Sequence, residues 1–338
     1  MRPATERPLG HGRHGDGRNR QCGGRDLALA CGLVGGAVAD AIAGDPARGH
    51  PVALFGQVMT ALEQRIYADR TGRGMAYAAA GVMLGAAPVL ATTRLAGGSP
   101  AGRAAITALT TWGVIASRSL SEAARQVGKA LSAGDLAQAR GALPSLCGRD
   151  PQDLDCGGIA RAVVESVAEN TSDAIVAPLI WGALAGPVGL SGYRAVNTLD
   201  AMVGHHSPRY ERFGRASARA DDVANWIPAR VTALLAAACS PAVRGRPGQT
   251  WQIARQYGPR HPSPNAGWCE AAFAGALGVR LGGVLSYSGC VEHRPEIGTD
   301  RSPQPEDIAK AIRLSRAVTA AATFLAAGLA AAGCSSNG

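Results

Sequence analysis

Two long runs without a charged residue, 74–93 and 317–334, limit the fold more than any other feature of this chain. Each is close to the roughly 20 residues that a helix needs to cross about 30 Å of hydrocarbon. In lipid every backbone amide and carbonyl must find a partner within the protein, so runs of this kind become helices. Shorter apolar windows follow the same spacing. Residues 27–43 are apolar apart from Asp40, and 104–117 and 231–243 are short. Residues 174–190 are uncharged but contain Pro178, Gly182, Gly186 and Pro187, and 271–288 are interrupted by Arg280. The short windows suit core helices or re-entrant pieces as well as spans. Polar segments at 44–73, 118–173, 191–230, 244–270 and 289–316 separate the windows. No stretch sustains a period-two alternation, so no strand is expected.

Apolar residues make up 46% of the chain, yet aromatics only 4%. The windows are built on Ala and Gly, which let helix backbones approach closely in lipid. The expectation is an all-α polytopic membrane protein with polar helical loops packed at one membrane face. Residues 1–26 are rich in Arg, Gly and His and lack the apolar core of a secretory signal. They read as a disordered basic extension before a single helical domain at 27–338.

The formal charge is +9. Arginine carries nearly all of it, since Lys129 and Lys310 are the only lysines. No helix-turn-helix, zinc-finger or RNP pattern accompanies the charge, which argues against nucleic acid as a partner. Arginine retained on the cytoplasmic side of a membrane fits better. The eight cysteines include no C-x-x-C pair and read as reduced, small apolar residues.

Five polar stretches carry candidate chemistry. Arg161, Glu165, Glu169 and Asp173 recur every four residues and share one stripe of a helix, with Asn170 beside them. Three carboxylates in line fit either a Mg2+ or substrate site or a solvated helix face. Arg194, Asn197 and Asp200 recur every three residues, as a ligand face or as a polar seam between helices. Arg219, Asp221, Asp222, Asn225 and Arg230 surround Pro228. The paired aspartates suit a divalent cation, and they equally suit the start of a helix. Asp45 and His50 flank a turn. His261, Asn265 and Glu270 stand in or beside a proline-stiffened loop that could cap a helix or clamp a ligand. No Walker loop, nucleophile elbow or dinucleotide fingerprint is present.

Taken together, the strings GDPARGHPVALFG, SLCGRD, ESVAENTSDAIVAPLIW, YRAVNTLDAMVGH, ERFGRASARADDVANWIPAR and HPSPNAGW followed by EAAFAGALGVRLGG resemble, in order and wording, the CobD/CbiB family of cobalamin biosynthesis. The resemblance covers roughly residues 27–300. Cys269 stands where the family pattern has proline, residues 286–297 match more loosely, and the basic leader falls outside the pattern. The resemblance implies a multi-pass protein of the cytoplasmic membrane. It also implies an ATP-dependent ligase that joins adenosylcobyric acid to (R)-1-amino-2-propanol phosphate, giving adenosylcobinamide phosphate. The alternative is a non-catalytic membrane subunit that scaffolds other cobalamin-pathway enzymes. A transporter would need an even succession of full spans.

On that reading, Glu165, Glu169, Asp200 and His261 are the expected catalytic residues, with Asp200 or His261 as base. Glu169, Asp173, Asp221 and Asp222 are expected to hold Mg2+ and handle the ATP phosphates. Asp45, His50, Asn170, Arg194, Asn197, Arg219, Asn225, Arg230 and Asn265 are expected to bind the corrinoid and the amino-alcohol phosphate. Charged cytoplasmic substrates require the motif segments to share one face. Windows 174–190 and 231–243, if both crossed the bilayer, would separate them. One or both windows are therefore expected to be broken or re-entrant.

Overall fold

Helix starts follow from side chains able to take the orphan amides of a first turn. In the computed structural model, which describes residues 16–332 apart from 46–49, 149, 206, 288–289 and 300, and no side chains for 16–26 and 284–293, these starts punctuate an almost wholly helical chain. The elements are α1 (Asp16–Ala43), α2 (Pro51–Ile66), α3 (Thr71–Leu95), α4 (Pro100–Val114), α5 (Ser117–Ser132), α6 (Leu136–Ala142) and α7 (Cys156–Thr171). A π turn (Ser172–Val176) leads into α8 (Ala177–Val203), followed by α9 (Arg215–Cys239), α10 (Pro247–Tyr257) and α11 (Ala266–Leu277). A hairpin of β1 (Arg280–Tyr287) and β2 (Cys290–Gly298) precedes α12 (Pro305–Ala332).

His50 Nδ1 accepts from the Val52 amide (3.3 Å), Ser99 Oγ from Gly102 (3.2 Å), Asp135 Oδ1 from Gln138 (2.8 Å) and Asp155 Oδ1 from Gly158 (2.7 Å). Pro51 and Pro100 open α2 and α4, where a missing amide costs nothing. α1 begins before residue 27, inside the segment expected to be an extension. No proline lies between residues 16 and 26 to stop a helix already nucleated downstream.

Four stretches are long and apolar enough to cross a membrane: Thr71–Leu95, Cys156–Val203, Arg215–Val243 and Pro305–Ala332. By length and composition the chain is a multi-pass membrane protein. Glycine pairs four residues apart set how closely the helices pack. A Cβ on Gly32 or Gly36 of α1 would collide with Thr107 or Thr111 of α4, and one on Gly81 or Gly85 of α3 with Leu199 or Ala195 of α8. This is the small-xxx-small contact expected between helices in lipid.

The stretch Cys156–Val203 is not one rod. Gly186 takes φ 66° and ψ −158° inside α8, a conformation almost confined to glycine. Pro187 follows, and the residue before a proline is disfavoured in the α region. A straight helix would place Asp173 and Tyr193 about 30 Å apart. Instead the Tyr193 hydroxyl donates to the Asp173 carbonyl at 3.1 Å. The chain therefore runs out to Gly186 and returns, within one of the two windows where a break was expected. Window 231–243 also ends in a return. α9 gives way to the turn at Ser240–Val243, α10 runs back along α11, and Asn265 reaches the Asp222 carbonyl (2.9 Å).

The β-hairpin corrects two expectations: that no strand forms, and that 271–288 is one apolar helix. α11 stops at Gly278, whose φ of 64° supplies a left-handed cap. β1 and β2 then pair antiparallel with Leu281 opposite Ile297 and a bulge between Leu281 and Gly283. The pairing is anchored from outside. The Gly282 amide donates to Glu165 Oε1 (2.6 Å), and Arg161 donates to the Gly282 carbonyl (2.7 Å). Distant helix residues hold it, so local alternation in the sequence did not announce it.

Candidate active site

α7, α8 and α9 bring their polar residues to one place. Asn225, fully buried, accepts from the Tyr193 hydroxyl (2.8 Å) and donates to Asp221 Oδ2 (2.9 Å). Asn197 donates to Asp221 Oδ1 (3.3 Å), and Arg194 donates to Asn197 Oδ1 (3.3 Å). Asp173, from the π turn, lies within electrostatic reach of Asp221, Glu169, Asp200 and Arg194. Asp200 is in turn close to Asp221, Asp222 and Glu169. Asn225 joins the returning limb of α8 to α9, and the Gly186 reversal makes that possible.

A polar cleft of about 270 Å3 lies beside this cluster. Glu165 and Glu169 of α7 line it, with His261, Ser263 and Glu270 across from them and Arg294 from β2. His261 Nε2 stands 3.9 Å from Glu270 Oε2 and 3.4 Å from an Arg294 nitrogen. His261 Nδ1 accepts from the Ser263 amide at 3.0 Å. Both His261 and Glu270 are buried. Asn265 ties the loop to α9, and Arg230 approaches Asn265 Oδ1 (3.4 Å). The Arg230 guanidinium also lies 4.1 Å from the Trp226 ring centre and 5.0 Å from that of Trp268. Such stacking on indoles holds the charge without a carboxylate.

The expected stripe of Arg161, Glu165, Glu169 and Asp173 splits three ways. Arg161 and Glu165 anchor the hairpin at Gly282, Glu165 and Glu169 line the cleft, and Asp173 joins the acid–amide cluster. The π turn explains the departure of Asp173. An i to i+5 turn breaks the four-residue register at Ser172, and π turns are frequent at functional sites.

Other expected residues fall outside the cluster. Arg219 is exposed at the start of α9. Asn170 turns back onto Ser166, donating to its carbonyl (2.9 Å) and hydroxyl (3.2 Å). The Asp222 side chain is exposed, and its backbone carbonyl makes the link to Asn265. His50 serves as a helix cap 3.8 Å from Asp45, with Asp45 also within electrostatic reach of Arg194. Tyr193, Glu270 and Arg294 are the residues that spacing did not assign. Tyr193 and Glu270 sat inside motifs already singled out, while Arg294 lies in the loosely matching stretch.

No group of three or more His, Cys, Asp or Glu among the described residues has the arrangement of a metal-ion cage. Mg2+ commonly takes only one or two carboxylates and completes its shell with water and substrate phosphate. Asp173, Asp200 and Asp221 form no ion pair among the described residues, which suits such a partial set. Arg194 Nε is buried without an acceptor, which suits an anionic oxygen.

The helical membrane fold with one acid–amide cluster matches a known class. The family model described as CobD/Cbib protein covers residues 33–315, and the chain belongs to that family. The protein named Cobalamin biosynthesis protein CobD of Mycobacterium tuberculosis is 49% identical over 299 residues, 88% of this chain and 94% of that protein. A relative of the same name from Rhodobacter capsulatus is 44% identical over 282 residues, 82% of this chain and 88% of its own. Another, from Chromobacterium violaceum, is 40% identical over 280 residues, 81% and 88% of the two chains. No solved structure matches the chain.

Proposed function

We propose that the protein is an adenosylcobinamide-phosphate synthase of cobalamin biosynthesis, an ATP-dependent amide ligase of the cytoplasmic membrane. The observation that carries this reading is the convergence of Asp173, Asn197, Asp221 and Asn225 beside the cleft of Glu169, His261 and Glu270. The substrates would be adenosylcobyric acid and (R)-1-amino-2-propanol phosphate.

A carboxylate and an ammonium ion do not condense in water at neutral pH. ATP with Mg2+, when bound, would supply activation of the carboxylate as an acyl phosphate. The chain's own residues would then bind and orient. Asp173 and Asp221, with Glu169 and Asp200 nearby, offer carboxylate oxygens to the cation. Arg194, with its unpaired Nε, and Arg230, held between two indoles, offer planar forks for phosphate. Asp200 would accept the amine proton. His261, whose Nδ1 already accepts from the Ser263 amide, would act in that role only after giving up this bond, with Glu270 to stabilise the resulting imidazolium. The amine attacks the acyl carbon, the amide forms, and phosphate leaves.

The test is turnover by Glu169→Ala and Asp173→Ala in membranes that contain intact protein. Each is expected to lose at least a hundredfold in product, the scale of removing one positioned group in an active site. Full turnover by both would remove the cation-handling role. Purified protein given corrinoid, ATP and amine separates a ligase from a scaffold, because only a ligase forms product without partners. Supplying the free and the phosphorylated amino alcohol side by side, with product read by mass spectrometry, identifies the amine.

A further inference from the structure

A second cleft, about 650 Å3, opens between α1, α5 and α12, apart from the acid–amide cluster. Val34, Ala37 and Val38 of α1 and Ala320 and Phe324 of α12 form its apolar walls. Val38 and Phe324 are exposed, so the slot opens sideways onto whatever surrounds the helices. Arg118 and Arg125 of α5 and Arg316 of α12 line it as well. α5 is the polar helix of this trio, while the 27–43 part of α1 and the far half of α12 are uncharged apart from Asp40. The arginines therefore stand where apolar helices give way to a polar one.

Charge at this mouth is unbalanced. Arg118 is engaged: it pairs with Glu122 at 2.7 Å and donates to the Ile42 carbonyl, and its backbone amide donates to Asp40 Oδ2 (3.2 Å). Arg125 and Arg316 meet no carboxylate among the described residues. Two uncompensated guanidiniums beside an apolar slot call for a ligand with an anionic head and a hydrocarbon tail. Guanidinium forks fit phosphate oxygens, and basic sites between membrane helices hold anionic headgroups. The volume lies within the roughly 300–1,000 Å3 usual for a small-molecule site.

We propose that this cleft binds one anionic phospholipid, with its phosphate on Arg125 and Arg316 and an acyl chain along Val34, Val38 and Phe324. A free anion would gain nothing from the apolar walls, and a zwitterionic lipid would leave the excess positive charge unanswered.

The test is native mass spectrometry of the full chain in a neutral detergent, titrated with phosphatidylglycerol and, separately, phosphatidylcholine. Phosphatidylglycerol is expected to bind at least tenfold more tightly. The double variant Arg125→Ala with Arg316→Ala is expected to weaken it by about thirtyfold. Arg125→Lys with Arg316→Lys keeps the charge and is expected to retain most of the binding, which separates lost contacts from a lost fold. Ala37→Phe fills the slot, leaves the arginines in place, and is expected to lose binding as well. Equal affinity for the two lipids, unchanged binding by the Ala pair, or displacement of the lipid by equimolar inorganic phosphate would each overturn the proposal.

Discussion

α3 and the α7–α8 stretch begin from similar sequence and end as different objects. Both contain a long uncharged run rich in Ala and Gly, and both carry an internal proline. α3 passes through Pro88 as one continuous helix, and only 17% of its apolar window is buried in the protein. The Cys156–Val203 stretch turns back at Gly186, and 56% of its window is buried. The first is largely exposed on the outside of the protein, and the second lines a polar site. Hydropathy does not separate them. What does is the pair Gly186–Pro187, since Ala87 before Pro88 has no access to the positive φ that Gly186 adopts. A reversal within a membrane is tolerated only where its backbone is kept from lipid. The two limbs beside the turn pack on protein through Gly182 and Leu190, both buried, while Leu184 and Ala185 at the turn itself are exposed.

The largest effect should come from closing off the reversal. Gly186→Leu forces a side chain into backbone space almost reserved for glycine, at a cost on the order of 1–3 kcal/mol even if the turn survives. If the turn does not survive, Tyr193 leaves Asp173 and the cluster is lost. The expected outcome is little folded protein and no turnover. Gly72→Ala, in the first turn of α3 where a Cβ meets nothing within 4 Å, is expected to change the apparent melting point hardly at all. Equal behaviour of the two variants in a thermal unfolding series in detergent would refute the contrast.

A smaller effect is expected from Asn225→Leu, which leaves the turn intact and takes the donor from Asp221 Oδ2, while Tyr193 keeps the Asp173 carbonyl and Asp221 Oδ1 keeps Asn197. Each unsatisfied group costs about 1–3 kcal/mol. Stability is expected to fall by about 1–3 kcal/mol, and activity with it. Topology can be read directly: cysteines placed at Ser132 and Ser207 are expected to label with a membrane-impermeant reagent from the same side. Labelling from opposite sides would mean that the 174–190 limb crosses the bilayer after all.

Much of this architecture was legible because the bilayer imposes a length. The runs at 74–93 and 317–334 had to be helices. That window 174–190, window 231–243 or both would be broken followed from asking how charged segments could share one face, while the place of the break, Gly186, did not. The π turn at Ser172–Val176 was not legible, since its register break depends on how α7 meets α8 and α9 rather than on any local residue. That break moved Asp173 off the Glu165–Glu169 stripe. The hairpin escaped notice for a similar reason: Glu165 and Arg161 hold Gly282 from more than a hundred positions away. Arg294 reaches His261 only through that hairpin, so spacing could not have nominated it.

The smallest expected effect tests whether an apolar helix is interior or lipid-facing by chemistry alone. α11 is as apolar as α3 but is packed among protein, with Cys269 buried and its sulfur 3.7 Å from the Ala229 carbonyl. Burial pushes the Cys269 thiol well above its ordinary range, so the reactive thiolate is scarce as well as shielded. Cys156, at the start of α7, is exposed. In detergent at neutral pH a maleimide is expected to modify Cys156 within minutes and Cys269 only after unfolding, as peptide mass spectrometry would show. Modification of both at one rate would mean that α9 and α11 part readily. The Asn265–Asp222 and Arg230–Asn265 contacts, which bring the His261 loop to the acid–amide cluster, would then be too loose to hold a site together.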